Sequence, residues 1–588
     1  MFGGNQVAGV VHLGAQNNNN INHFKGGINM LHNLKKKLCY YKFPQFILLT
    51  VTVLFCAYIS IKYIGPKLIS NRYYMFHLDE ICRWSLLLIS FVAVYFYYNN
   101  TKKIKYKVVT HGRNYTKDKQ QYGKSLTDSD RSEFFKKSED NYIKIPPNMS
   151  GDWTKYHGVI LGSIDGHIFQ RKADAVGNII TVGKPGSGKT TNLICTATNF
   201  YGSMFILDIK GDIYNGVSKC LDVFKRKRKR KVFNISNPNK SCHYNPFRGI
   251  EDMDIDERDE LLESISCVLI PTAATADGEY FTNTARDYFM GICHYILNND
   301  IKASFVDIVT AVYRGNAIKW IQQVMESDCE AAQDYLSGKF GENERNLCGG
   351  YSKLRSQLKP FRKKAILQLL IENGNCISGE DLNDGTDIYL RMTKKEMARN
   401  NALVTMIIQD ILTTMLNRSD NTSGIKNRNT LLMLDEFSQL RRIGSLSPDD
   451  PQISLADSLA TLRSKSCTLQ LCMQSISQID KVYTTNVRKE IFDTCDYYQI
   501  YSVQDPDTRK YFADLFGQKD VLTVSSSSPD SKSGSSSKSA TKSKEYIIPP
   551  EEFGRLAENN KVALYHNGRY AIADKVQYFT ADERLLQK

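Results

Sequence analysis

The stretch Gly183–Thr190 (GKPGSGKT) directly follows Asn178–Val182 (NIITV), a short apolar run that is typical of a buried strand. It matches the pattern G-x-x-x-x-G-K-[ST], in which glycines let backbone N–H groups turn toward phosphate oxygens while the next helix presents its positive end. That helix is predicted over Thr191–Asn199. The stretch therefore predicts an α/β fold built around a P-loop.

A P-loop assigns distinct tasks to its residues. We expect Lys189 to bridge the β and γ phosphates of ATP and Thr190 to ligate Mg²⁺. The residues predicted to hold the nucleotide are Gly183, Lys184, Pro185, Gly186, Ser187, Gly188, Lys189, Thr190 and Thr191.

A second carboxylate site is needed near such a loop, and Leu431–Glu436 (LLMLDE) supplies one. Four apolar strand residues end in two acids, and the carboxyl ends of parallel strands are where α/β sites form. Asp435 is predicted as a metal ligand and Glu436 as the general base. Acids often end buried strands, so this motif becomes strong evidence only beside the P-loop.

Two further residues are weaker candidates. Gln474 ends the strand-like run Thr468–Met473 (TLQLCM), where a side chain can sense the γ-phosphate or the attacking water. Arg463 lies eleven residues earlier and is a candidate arginine finger for a neighbouring subunit. The sequence alone equally allows Gln474 to be a glutamine that merely ends a strand, and it favours an ordinary surface arginine at residue 463.

The 588-residue chain has a formal net charge of +15, which favours anionic partners but does not distinguish nucleic acid from lipid headgroups. Its 14 Cys form no Cys-x-x-Cys pair and no Cys/His cluster with zinc spacing. This pattern favours reduced, buried thiols over a disulfide framework or a metal site.

Two uncharged apolar runs lie near the N-terminus, at Phe46–Ile61 and Trp84–Tyr98. With their flanks they approach the roughly 20 residues that cross a bilayer. Lysines precede the first run and follow the second, so the positive-inside rule places both ends in the cytoplasm. A signal peptide is the alternative for the first run and buried core helices for both, but the first run begins too far along the chain and has no small-residue cleavage site.

Strand signals recur at Met204–Leu207, Leu431–Leu434 and Tyr497–Val503. Long amphipathic stretches with few strand signals lie between them, over 252–418, and predict an inserted all-α domain. The basic run Lys225–Lys231 is interpreted either as an exposed helix end or loop or as a contact with nucleic acid or lipid. The Ser/Lys-rich segment 525–544 is predicted to be a solvated loop.

The order of several segments resembles the TraG/TraD-like coupling-protein ATPases of type IV secretion and conjugation. The segments that carry the resemblance, besides the two nucleotide motifs, are FILDIKGDIY (205–214), YNPF (244–247), FTNTARDYFMG (281–291), DEFSQL (435–440), LQLCMQSISQI (469–479) and PPEEFGRL (549–556). Asp208 and Lys210 match a family signature without a clear chemical role. The Ser/Lys-rich segment and the run Lys225–Lys231 depart from the family pattern.

The resemblance implies a RecA-like P-loop NTPase domain with an inserted all-α domain, preceded by a two-helix transmembrane hairpin. By position, Lys189, Glu436, Gln474 and Arg463 take catalytic roles, and Thr190 and Asp435 take metal-binding roles. The expected domains are a flexible basic N-terminus at 1–45, two transmembrane helices at 46–100, the first ATPase part at 101–251, the all-α domain at 252–418, and the second ATPase part at 419–588 with the Ser/Lys-rich loop 525–544.

The function implied is ATP hydrolysis by a homo-hexamer at the bacterial cytoplasmic (inner) membrane, with ATP and Mg²⁺ as cofactors. The implied partners are the membrane, type IV secretion channel components, and a relaxase bound to single-stranded DNA or effector proteins. Two alternatives remain at this point: a receptor for effector proteins that uses ATP only for assembly, and an FtsK-like translocase of double-stranded DNA.

Overall fold

The computed structural model describes residue 143 and residues 149–175, 177–273, 276–422, 426–444, 454–527 and 537–586. The predicted N-terminal tail (1–45) and the predicted membrane helices (46–100) lie outside these residues. Within the described part, no helix is long and apolar enough to cross a bilayer. The chain divides into two compact units, of which the larger comprises residues 116–519 and 545–588.

Thirteen strands are described. They are β1 (Val159–Ile164), β2 (His167–Arg171), β3 (Asn178–Val182), β4 (Ser203–Ile209), β5 (Arg230–Asn234), β6 (Asp387–Met392), β7 (Thr430–Leu434), β8 (Cys467–Met473), β9 (Cys495–Ile500), β10 (Gln518–Ser527), β11 (Ser537–Tyr546), β12 (Lys561–His566) and β13 (Arg569–Asp574).

The described helices fall into three groups along the chain. Two follow β3 and β4: α1 (Lys189–Asn199) and α2 (Asp212–Val223). Eight lie between β5 and β6: α3 (Ile255–Leu269), α4 (Ala276–Asn299), α5 (Phe305–Arg314), α6 (Ala317–Met325), α7 (Glu330–Leu336), α8 (Glu344–Leu358), α9 (Lys364–Leu369) and α10 (Gly379–Asn383). The rest follow β6: α11 (Lys394–Arg399), α12 (Asn401–Leu416), α13 (Leu455–Thr461), α14 (Ile476–Ile479), α15 (Thr485–Asp493) and α16 (Pro506–Phe516).

An eleven-stranded sheet organises the larger unit, in the order β2-β1-β13-β12-β9-β3-β8-β7-β4-β6-β5. The strands from β9 to β5 in this order pair in parallel, whereas β12, β13, β1 and β2 pair antiparallel at the other side. In the parallel part, Val182 lies beside Met473 and Leu207 lies beside Leu434. The carboxyl ends of β3, β8, β7 and β4 therefore meet at one edge.

Strand β3 shows why the apolar runs were reliable signals. All five of its residues are buried, as expected for a parallel strand covered on both faces. Its one amide side chain, Asn178, is fully satisfied: it accepts from the Leu469 N–H (3.0 Å) and donates to the carbonyls of Leu459 (3.1 Å) and Thr494 (3.3 Å). The strand is thus fixed at the centre of the sheet, directly before the P-loop.

Strand β6 corrects the sequence analysis. It lies inside the range 252–418 assigned to helices, yet it pairs in parallel with β4 on one side and β5 on the other. The helical prediction is therefore wrong at residues 387–392. Its apolar run is interrupted by Asp387 and Arg391, and Asp387 is tolerated in the core because a cation reaches it.

That cation comes from the basic run Lys225–Lys231, which follows the end of α2 as a loop that is mostly exposed, as one of the two interpretations predicted. Arg228 donates to both oxygens of Asp387 (2.6 and 2.8 Å) and to the carbonyls of Phe200 and Gly202 (both 2.7 Å). The Asp387 side chain is completely buried, and it also accepts from the Met204 N–H at 3.0 Å. Part of the run thus holds β5, β6 and β4 in register.

The Ser/Lys-rich segment is the second correction. It lies within residues 520–544, which belong to the smaller compact unit. Strands β10 and β11 form a separate two-stranded sheet here, so the prediction of a loop over 525–544 is wrong for its described ends. A strand ladder is made by backbone groups, and Ser and Lys side chains on a two-stranded sheet can remain in water.

Removing the Arg228 side chain should destabilise the larger unit by about 3–5 kcal/mol, because it leaves the Asp387 carboxylate buried without a partner. We expect Arg228→Ala to lower the midpoint of chemical denaturation strongly. Lys227→Ala, which removes an exposed charge from the same run, should change it by less than about 0.5 kcal/mol. Equal effects of the two substitutions would contradict the structural role of the pair.

Candidate nucleotide site

The P-loop is anchored to the ends of two neighbouring strand segments. The Gly183 N–H donates to the Met473 carbonyl (3.1 Å), and the Lys184 N–H donates to the Ser502 carbonyl (2.7 Å). Gly186 and Gly188 have φ of +75° and +99°, a left-handed conformation that glycine adopts without strain. The loop therefore wraps back on itself and delivers the chain into α1 at Lys189.

The loop has the features of a phosphate cradle. Nothing lies within 4 Å of the position that a Cβ on Gly186 would take, so the backbone is open at that point. The buried Ser187 hydroxyl has no hydrogen-bond partner among the described residues. Lys189 is 8% exposed, its ammonium donates to the Gly183 carbonyl, and burial lowers its pKa. A triphosphate would supply partners for all three groups, so the residues present fit ATP.

A pocket of about 320 Å³ opens beside the loop. Its other walls are the carboxyl ends of β4, β6 and β7. The residues that line it are Lys184, Pro185, Gly186, Ser187, Gly188, Lys189, Thr190, Thr191, Asp208, Ile209, Lys210, Asp212, Lys394, Asp435 and Glu436. The structure thus brings together every residue that the sequence assigned to the nucleotide and the metal except Gly183. Gly183 directly precedes Lys184, the first loop residue that lines the pocket.

Asp435 is the strongest candidate metal ligand. Burial, followed by the neighbouring carboxylates Glu436 and Asp208, raises its pKa to about 7, with Lys189 opposing the shift. A cation at this position would offset both the burial and the repulsion. Mg²⁺ bound by carboxylate and hydroxyl oxygens suits Asp435 and Thr190, which line the same pocket.

Glu436 is held by two glutamines. The Gln474 amide donates to both of its oxygens (2.8 and 2.7 Å), and the Gln439 amide donates to one of them (3.0 Å). Glu436 itself has φ of +60°, a conformation that costs a non-glycine residue energy and that clusters at functional sites. Gln474, at the end of β8, is thus in direct contact with the candidate base. The sequence analysis did not identify Gln439 as a site residue, although it lies in the DEFSQL segment.

The Asp208 and Lys210 signature acquires a structural role. The fully buried Asp208 carboxylate accepts from the N–H groups of Ile213 (3.2 Å) and Tyr214 (2.8 Å), which caps the start of α2. Lys210 has φ of +96° and lines the pocket. The segment thus closes one wall of the site and places a second lysine near Asp435.

Two lysines at the site could not be identified from local motifs. Lys394 begins α11 and lies 3.8 Å from a Glu436 oxygen. Lys575 follows β13 and donates to the carbonyls of Ser187 (3.2 Å) and Ala557 (3.1 Å), which ties the loop to the last hairpin. Lys394 follows β6, so it could have been placed at the site only if β6 had been recognised as a strand from the sequence.

Arg463 lies elsewhere. It is in a short turn (Leu462–Lys465) before β8, at the amino edge of the parallel strands, and its guanidinium forms an ion pair with Asp496. The seven residues of β8 separate it from Gln474, a span of about 23 Å at 3.3 Å per residue. The structure does not bring Arg463 to the pocket of its own chain.

The raised pKa of Asp435 has a consequence for stability without Mg²⁺ or nucleotide. A raised carboxyl pKa means that the folded state binds the proton more tightly than the unfolded chain, so ionisation opposes folding. The loss of stability grows as pH rises from the usual value of 3.8 toward about 7. We expect Asp435→Asn to stabilise the protein by on the order of 2 kcal/mol at about pH 8, and by less at about pH 5.

Thermal denaturation at the two pH values measures this effect. Asp212→Asn is the matched control, because Asp212 lines the same pocket but is exposed, and it should change stability little. Added Mg²⁺ should raise the midpoint of the unsubstituted protein more than that of Asp435→Asn. A loss of stability in Asp435→Asn at the higher pH would contradict the assignment.

The chain is similar to known proteins both in sequence and in fold. The family model described as Type IV secretory system Conjugative DNA transfer matches residues 131–587. The conjugal transfer protein TraG of Agrobacterium fabrum (strain C58 / ATCC 33970) is 25% identical over 195 residues, which is 33% of this chain but only 28% of that relative.

Solved structures of the bacterial conjugative coupling protein TrwB are similar in fold. The form in complex with sulphate has a TM-score of 0.50 at 16% identity and matches 75% of this chain and 95% of that chain. The complex with a non-hydrolysable ATP analogue has a TM-score of 0.50 at 15% identity, with the same coverage of 75% and 95%. Since the family model spans far more than half of the residues, the chain belongs to the type IV secretory system conjugative DNA transfer family.

Proposed function

We propose that this chain is a membrane-anchored ATPase whose homo-hexamer couples ATP hydrolysis to the transfer of a relaxase bound to single-stranded DNA, or of effector proteins, into a type IV secretion channel. The observation that carries the proposal is one pocket in which the P-loop, Asp435 and Glu436 converge, with Gln474 bound to Glu436. Membership in a conjugative DNA transfer family and the ATP analogue bound by the similar TrwB support it.

The residues divide the hydrolytic work between positioning and proton transfer. Lys189 and the backbone of Gly186–Gly188 hold the phosphates. Thr190 and Asp435 would hold Mg²⁺, which would supply positive charge beside the phosphate oxygens. Glu436, oriented by Gln474 and Gln439, accepts a proton from the attacking water. In phosphoryl transfer such positioning and electrostatic stabilisation account for most of the catalysis.

Membrane anchoring rests on the sequence. The apolar runs at 46–61 and 84–98 precede the ATPase, and flanking lysines favour a cytoplasmic position for the N-terminus and the nucleotide site. The proposed location is the bacterial cytoplasmic (inner) membrane. A ring at that membrane would deliver its substrate directly to a channel.

The hexamer is proposed from the position of Arg463. This arginine is too far from its own pocket to contact a bound nucleotide, and it lies at the opposite edge of the sheet. A role in hydrolysis therefore requires a neighbouring subunit, as arginine fingers supplied in trans provide. In that arrangement Arg463 would exchange its ion pair with Asp496 for the neighbour's γ-phosphate.

A cationic cleft among the helices supports DNA as the partner. It lies between α5, α6, α8 and the turn Lys359–Arg362, and no acidic side chain of the described chain lines it. The guanidinium of Arg355 lies 5.0 Å and that of Arg362 4.3 Å from the Tyr313 ring centroid. Between residues 345 and 371 the sequence has no Asp or Glu, and its basic residues are Arg345, Lys353, Arg355, Lys359, Arg362, Lys363 and Lys364.

The two guanidiniums repel each other, and the tyrosine ring compensates only partly. A phosphate between them would accept several charge-assisted hydrogen bonds from their planar donors. Arg355 and Arg362 are exposed, so a nucleic acid backbone can reach them without any rearrangement of the core. The cleft is therefore suited to hold single-stranded DNA outside the ATP site.

Lys189→Ala should reduce ATP turnover by about 100-fold or more, since it removes a preorganised charge from the phosphates. If the protein is a motor, conjugative transfer from donor cells should fall with it. Phosphate release by the full-length protein and transfer frequency measure the two effects. Lys510→Ala, an exposed lysine on α16, should leave both unchanged.

Two results, one from this experiment and one from adding double-stranded DNA to the turnover assay, would contradict the proposal. Transfer that persists while hydrolysis is lost would indicate a receptor that uses ATP only for assembly. Turnover that is accelerated strongly by double-stranded DNA, with little effect of a secretion partner, would indicate a translocase serving chromosome segregation.

Exchange of both arginines of the cleft for serine should weaken binding of a labelled single-stranded oligonucleotide. Each phosphate contact with a single strand contributes about 0.7 to the slope of log affinity against log salt. Loss of two contacts should therefore make this slope shallower by about 1.4. Fluorescence anisotropy with the full-length protein measures both quantities. The control is a Lys481→Ser, Lys489→Ser double variant, which removes the same charge from exposed positions outside the cleft. An equal loss of affinity in both variants would show that binding depends on net charge and not on the cleft.

A further inference from the structure

Lys394 occupies a fixed position at the mouth of the pocket. It is the first residue of α11, directly after the cap residue Thr393. The Glu396 carboxylate accepts from the Thr393 N–H (2.8 Å) and hydroxyl (2.9 Å), and the Thr393 hydroxyl accepts from the Glu396 N–H (3.3 Å). This capping box fixes the start of the helix at the end of β6 and therefore fixes the backbone that carries Lys394.

The position is electrostatically unfavourable for a cation. The first turn of a helix has exposed N–H groups and a partial positive charge, so it prefers acidic residues. A second cation, Lys189, lies close enough that the charge of Lys394 adds to the effect of burial in lowering the Lys189 pKa. Helix stability therefore does not explain a lysine at residue 394.

The contact with Glu436 does not explain it either. The Lys394 ammonium lies 3.8 Å from one Glu436 oxygen, and its side chain is 45% exposed. Gln474 and Gln439 already donate three hydrogen bonds to this carboxylate at 2.7–3.0 Å. A long, half-exposed ion pair contributes little, so Lys394 is free to exchange it for a stronger partner.

We propose that Lys394 is a γ-phosphate contact that makes the pocket discriminate ATP from ADP: it exchanges its contact with Glu436 for one with the terminal phosphate when ATP binds. The inference rests on the proposed function of this pocket and adds a cation from the same chain that no recognised motif supplies. Lys189 would reach the phosphates from the loop, and Lys394 from the end of β6, beside the candidate base. ADP lacks the terminal phosphate that the water held by this base attacks.

The test is nucleotide affinity without turnover. Calorimetry with the full-length protein and Mg²⁺ should compare ADP with a non-hydrolysable ATP analogue. Lys394→Gln should weaken the analogue by roughly tenfold, which corresponds to the loss of one charge-assisted hydrogen bond. It should change ADP affinity less than about twofold. Lys394→Arg should retain most of the discrimination.

Lys395→Gln is the matched control, because it removes an exposed lysine from the next position of the same short helix. Its two affinities should equal those of the unsubstituted protein. An unchanged ratio of analogue to ADP affinity in Lys394→Gln would overturn the inference, even if hydrolysis falls, because Lys394 would then only position Glu436. Failure of the unsubstituted protein to bind either nucleotide would instead contradict the proposed function.

Discussion

The parallel pairing of β3, β8, β7 and β4 is the constraint on which the site depends. With Val182 beside Met473 and Leu207 beside Leu434, the four strands end at one edge. The P-loop, the Asp435–Glu436 pair and Gln474 each follow one of these ends. A shift of one strand by a single residue would turn its side chains to the other face of the sheet. Buried polar contacts such as those of Asn178 and Asp387 therefore matter beyond their own free energies.

The same edge concentrates charge that the protein's own side chains balance poorly. Asp435, Glu436 and Asp208 lie near one another, and the Asp435 pKa is raised mainly by burial. Lys189 meanwhile turns back on the Gly183 carbonyl. These arrangements lower the stability of the folded protein before anything binds. A nucleotide with Mg²⁺ would then find donors and acceptors already in place. Preorganisation of this kind avoids rearranging dipoles during the reaction.

Long apolar runs made much of this predictable. NIITV and LLML are strands because parallel strands are covered on both faces, and each identified the residues that follow it. Strand β6 was not recognised from the sequence because Asp387 and Arg391 limit its apolar run. The buried Asp387 carboxylate is stable only beside Arg228, which is 159 residues away in sequence. Lys394 and Lys575 escaped for the same reason: their positions are set by distant strand pairings. The Ser/Lys-rich strands show that a polar, Ser-rich composition does not by itself determine backbone conformation.

Lys394 and Arg463 place positive charge under different kinds of control. Lys394 lines the same pocket as Lys189 of its own chain, so its charge is present at the nucleotide site whether or not a neighbouring subunit is bound. Arg463 lies at the opposite edge and is paired with Asp496, so in the proposed hexamer its charge would reach a nucleotide only across an interface. A subunit that binds ATP through its own lysines but is completed by a neighbour's arginine would retain ATP until the ring assembles. This division would keep hydrolysis low in the free subunit and couple it to assembly.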